Sequence, residues 1–161
     1  MPYGDIKIFY ELELRDYIEE NDRRIISEIK SQDENYILNV NESDYTKHLV
    51  EKFLIDNLII NFKDIFVSSH EEQIPIEWFP RDFHFDENSG SFPRQVVKYH
   101  IPFHGNPELL RCTPSSRLMN TYKVTIENGC ICFNIINFYN NPEDIKNQSQ
   151  QTQNLILQQS Q

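Results

Sequence analysis

The chain has no alanine at all, and only four glycines, three cysteines and one tryptophan in 161 residues. So few glycines leave little material for a loop that cradles nucleotide phosphates. Neither Gly-x-Gly-x-x-Gly nor Gly-x-Ser-x-Gly occurs, which removes the dinucleotide-binding and nucleophile-elbow readings. Cys112, Cys130 and Cys132 are an odd count. Cys130 and Cys132 would be half of a tetrahedral zinc site, with no second pair to complete it. A long apolar run is also missing, so a membrane span and a secretory leader are not expected. Free thiols and no leader point to a cytoplasmic setting. No cofactor motif is present. The missing alanine, beside abundant Asn, Ile, Lys, Asp and Glu, reads as the coding bias of an AT-rich genome.

What is abundant is aromatic and acidic. Eleven Phe and eight Tyr can bury large areas despite the polar composition. The length suits one domain with a core of its own. A net charge of −10 disfavours nucleic-acid binding by this chain alone. Arg94, Lys98, Arg111, Arg117 and Lys123 cluster in sequence, but neighbouring acids balance them.

The pattern predicts an α+β fold: N-terminal helices packed on a mainly antiparallel sheet, closed by a C-terminal hairpin. A helix is expected over residues 7–30, although Ile6, Ile8, Tyr10, Leu12 and Leu14 also alternate as a strand would. Residues 36–40 read as a short extended piece. Ser43 reads as the N-cap of a second helix with Tyr45, Leu49, Val50 and Phe53 on its apolar face. That helix should end near residues 55–57, and strand periodicity begins at Leu58. Glu71 and Glu72 suggest a turn or loop, and residues 74–80 an irregular Pro-marked segment at an edge or crossing position. Residues 94–103 form the next strand. The hairpin is residues 122–136 around Asn128 and Gly129, the strongest short turn signal in the chain. Residues 1–141 then make the domain. Residues 142–161, rich in Gln, are either a disordered tail or a helix that needs a partner.

Candidate chemistry concentrates in residues 98–116, which hold two histidines, a glycine and three prolines. Backbone geometry accounts for the glycine and the prolines. His104, Asn106, Arg111, Ser115 and Ser116 have no such explanation and, with Arg117, are the candidate binding residues. His100 and His104 would need a convergent nucleophile or acid, such as Cys112 or Glu108, to act in catalysis. Asp82, His84 and Asp86 share one face of an extended segment, a weak alternative metal set for a small hydrolase. Phe83 and Phe85 on the other face explain the same alternation by burial.

Residues 30–145 resemble the N-terminal region of a group of uncharacterised bacterial proteins. The likeness rests on Pro102, Phe103, Gly105, Leu109, Pro114 and Ser115, with Leu110 where that group usually has an aromatic. Some of its members continue through a long helix into a restriction-endonuclease-like nuclease domain linked to anti-phage defence. The resemblance implies a non-catalytic binding or sensing module, stand-alone or cut from a longer chain, with a protein partner or self-association. It carries over no catalytic residue. A structural oligomerisation domain is the other non-enzymatic reading.

Overall fold

The computed structural model describes residues 6–86, 90–114 and 122–161. The architecture is α+β. In chain order the elements are β1 (Ile6–Lys7), β2 (Leu12–Glu13), α1 (Leu14–Ser31), α2 (Glu34–Asn39), α3 (Glu42–Phe53), β3 (Ile59–Ile60) and β4 (Phe66–Pro75). A 3-10 turn at Ile76–Trp78 leads toward β5 (Ser91–His104), and another at Pro107–Arg111 toward β6 (Cys112–Thr113). Then come β7 (Lys123–Glu127), β8 (Cys130–Ile136) and α4 (Pro142–Gln159).

The main sheet is wholly antiparallel, in the order β1-β7-β8-β5, with β3 and β4 side by side along the outer edge of β5. A small parallel ladder, Leu12 to Cys112 and Glu13 to Thr113, stands apart from it. Asn128 (φ +50°) and Gly129 (φ +73°) form the two-residue turn of the β7–β8 hairpin, as the Asn-Gly signal predicts.

Alternation along β5 sends its residues to two different cores. Ile101 and Phe103 join Ile131, Phe133 and Ile135 of β8 and Val124 of β7 on one face, and Ile156 of α4 closes that cluster. On the opposite face, Val96 meets Ile74 and Ile136 under Phe79, with Phe83, Phe85, Phe92 and Phe138 around them. The rings of this second cluster pack mostly edge to face, Phe79 lying 5.0 Å from Phe138 and 4.8 Å from Phe85. The burial reading of Phe83 and Phe85 is therefore realised.

The Gln-rich segment forms α4, capped by the Asn141 side chain, which accepts from the Glu143 N–H, with Pro142 in the first turn. Its inward stripe is Ile145, Ser149, Thr152, Ile156 and Gln159, spaced alternately four and three apart. Two of these are small hydroxyl residues, satisfied on their own helix: Ser149 donates to the Lys146 carbonyl at 3.3 Å and Thr152 to the Gln148 carbonyl at 3.0 Å. A stripe so poor in large apolar residues still docks because its own sheet supplies the apolar surface.

Several boundaries differ from the sequence expectation. Residues 6–13 are not helical. They cross the molecule, pairing Ile6 with Val124 and then Leu12 with Cys112, and bury Ile8 and Phe9 on the way. Neither a continuous helix nor an alternating strand forms: the chain turns at Phe9 (φ +55°), so adjacent Ile8 and Phe9 both enter the core while Tyr10 and Leu12 stay exposed. Residues 36–40 fall largely in α2, whose N-cap Asp33 accepts from the Asn35 N–H. Asn41, not Ser43, caps α3, and that helix stops at Phe53. Glu71 and Glu72 lie within β4, opposite Gln95 and Arg94; an exposed edge strand tolerates charge that a covered one would not.

The helix that covers the sheet is α4. The N-terminal helices meet the body at the β2–β6 ladder and through one side-chain bond from the 98–116 stretch, and α1 lies against α3.

Candidate functional site

The 98–116 stretch is a joint. Gly105 has φ +102°, and a β-carbon there would collide with the Asn57 carbonyl, so the chain passes too close for any side chain. Asn106 next to it works in two directions. Its Oδ1 accepts from the Glu108 N–H at 3.0 Å, capping the 3-10 turn, and its Nδ2 donates to the Tyr17 hydroxyl at 2.8 Å, tying down α1. The Arg111 Nε donates to Glu11 at 2.8 Å, while Glu108 lies 3.8 Å away. The Lys7 N–H (2.8 Å) and the Arg111 guanidinium hold the Glu11 carboxyl below its usual range against the opposing effect of burial. Hydrogen bonding to Glu11 raises Arg111 in turn. Asn106 and Arg111 thus have structural partners that the sequence does not reveal. His104 is exposed at the end of β5, opposite Ile59. Ser115, Ser116 and Arg117 lie outside the described residues.

The alternative metal set does not assemble. Among the described residues no group of three His, Cys, Asp or Glu side chains is placed to hold an ion. Asp82 instead accepts from the Tyr139 hydroxyl at 2.9 and 3.1 Å, beside the phenylalanine cluster.

His100 does find close neighbours, though not those the sequence suggested. Its Nε2 lies 2.9 Å from Ser68 Oγ across the β4–β5 ladder, its Nδ1 lies 3.3 Å from Cys132 Sγ on β8, and the Phe66 ring stacks on it at 4.5 Å. Burial first, and the Lys98 charge second, lower the His100 pKa, so the imidazole is neutral at pH 7. Cys132 is pushed up to about 11, mainly by burial, and stays a thiol. A hydroxyl against a neutral imidazole is the first element of a nucleophile–base pair. The rest of such a site is not built here. The nearby carboxylate, Glu127, is held by Lys98 at 2.6 Å and by Thr125 rather than orienting His100. Ser68 lies mid-strand, not at a turn or helix start where backbone N–H groups converge on a developing oxyanion. The cluster is a cross-strand polar contact that fixes the imidazole orientation.

The feature with the character of a binding surface lies on the N-terminal helices. Ile18 and Ile25 of α1 face Leu49, Val50 and Phe53 of α3, and together with Leu54 they line an open groove of about 570 Å³. Asn21 holds its floor by donating to the Phe53 carbonyl at 3.0 Å, and Lys52 bridges the pair to Glu28 at 2.8 Å. Asp22 is the one charged residue of the lining. Of everything in α1, α2 and α3, only Phe53 is buried. Val50 is 54% and Leu54 64% exposed. The sequence shows the apolar stripe of α3 but not that its cover is missing; a stripe looks the same whether or not a neighbour packs on it. No family model, curated protein or solved structure matches this chain.

Proposed function

We propose that this chain is a non-catalytic interaction module whose α1–α3 groove receives an amphipathic helix, flanked by basic residues, from a protein partner. The observation that carries the reading is the exposure of Ile18, Val50 and Leu54 along a groove between helices that bury only Phe53. Apolar surface concentrated this way marks an interaction site, and a groove between two helices suits a helix laid along it. Charge selects the occupant. Acids outnumber bases across residues 14–53, Asp22 stands in the groove wall, and the whole chain carries −10. A second copy would bring like charge to the rim, whereas a basic helix complements it. The resemblance of residues 30–145 to the N-terminal region of nuclease-bearing bacterial proteins supports a defence nuclease as that partner, with this chain as its accessory binding or sensing part.

The test places a photoreactive residue at Val50, or at exposed Gln158 as control, in the intact chain in its native host. A covalent adduct formed from position 50 alone, whose crosslinked peptide is a Lys- or Arg-flanked amphipathic helix, is the expected result. Absence of a specific adduct, or a chain that dimerises by light scattering and becomes monomeric on Val50→Glu, overturns the reading.

A further inference from the structure

We propose that the free edge of β4 accepts an extended, basic segment of a partner chain as an added antiparallel strand. All ten residues of β4 pair with β5 on one side, from Phe66 opposite His100 to Pro75 opposite Ser91. Among the described residues no strand pairs with its other side. Its first six residues, 66–71, are all exposed, so both faces are open as well as the edge. The opposite edge of the sheet, β1, is only two residues long. Short edge strands are a common protection against unwanted pairing, and a ten-residue edge lacks it. Other usual guards are also sparse: β4 carries no lysine, and its one proline, Pro75, is at the far end.

The guard that β4 does have is selective. Glu71 and Glu72 sit side by side, so one projects from each face of the sheet. They repel an acidic strand, including β4 of another copy in registers that oppose the glutamates, but they attract a basic one. Phe66 and Val67 play the complementary role at the other end, each 52% exposed and again one per face. An antiparallel occupant that matches both ends carries two adjacent basic residues, three intervening residues, then two adjacent apolar residues. Backbone hydrogen bonds along the edge would supply affinity, and these four positions would supply selection. The site is separate from the α1–α3 groove and does not depend on the reading of that groove.

The probe is a blocked ten-residue peptide with that spacing, Lys-Lys and Val-Val set in Thr and Ser, labelled for fluorescence anisotropy and titrated with the intact chain. Saturable binding is expected, weakened by about tenfold or more in the Glu71→Lys/Glu72→Lys variant. N-methylation of alternate peptide residues, tried in both frames, should abolish it in one frame. Val50→Glu in the groove should leave it unchanged, which separates failure of this site from failure of the groove. No saturable binding, or binding that survives N-methylation in both frames, overturns the proposal.

Discussion

The sheet body and the N-terminal helices use similar apolar residues to opposite ends. In the body, Ile101, Ile131, Val124 and Leu110 are fully covered in one cluster that Ile156 of α4 closes. In α1 and α3, isoleucine and valine lie at helical spacing but remain open, and caps, ion pairs and the Asn21 bond hold the helices in place. Burial carries the stability of the first region; the second owes its position to a few polar ties. An element attached in this way can expose apolar surface without endangering the fold, which is what a docking surface requires.

The contrast can be broken or sharpened by substitution, starting with the largest effect. Ile101→Ala in the body should destabilise by about 3 kcal/mol, through lost burial and the cavity left behind, measured by urea unfolding. Gly105→Ala should cost roughly 2–3 kcal/mol, combining positive φ with the clash against Asn57, and should loosen the joint between regions. Asn106→Ala removes a cap and the tie to Tyr17; about 1–2 kcal/mol is expected, with amide exchange in α1 rising more than in β5. Tyr17→Phe should reproduce the change in α1 exchange while leaving the 3-10 turn protected. Val50→Ser, on the open groove, should shift stability by about 0.5 kcal/mol or less while abolishing partner crosslinking from a photoreactive residue moved to Leu54. A large loss at Val50, or a small one at Ile101, would erase the distinction between the regions.

A further test uses pH. His100 has a folded pKa below its ordinary value, so the unfolded chain binds the proton more readily. The contribution of the neutral ring is present in full above about 6.5, the unfolded value, and is lost as pH falls through the lower folded value. His100→Gln should flatten that part of the stability profile, and the body alone should register it, since the ring lies between β4 and β8.

Local chemistry made part of this legible in the sequence. Asn128 and Gly129 specify their hairpin through two positive φ angles, and Pro107 after Asn106 specifies a capped turn. The roles of Asn106 and Arg111 were hidden because their partners, Tyr17 and Glu11, are far away in the chain. The His100 neighbours were hidden likewise: Ser68 and Cys132 reach it through two different ladders, and spacing within one segment cannot report cross-strand register. Residues 6–13 satisfied helix and strand templates at once and follow neither throughout, because the distant pairings of Ile6 and Leu12 and the turn at Phe9 set their path. The open groove was least legible, since exposure of Val50 is a property of what does not pack on it.

The pairing of β1 with β7 has a consequence for how the molecule assembles. The β7–β8 hairpin joins neighbours in sequence across a two-residue turn, a contact that forms in about 1–10 μs. Ile6 opposite Val124 joins the first described residue to a strand far along the chain and must await closure of everything between. A central hairpin formed early, with the N-terminal crossing docked late, gives an order of assembly in which Ile8 and Phe9 seal a core already built. On that order, amide exchange is expected to open β1 and the groove-bearing helices that follow β1 and β2 before the β7–β8 hairpin.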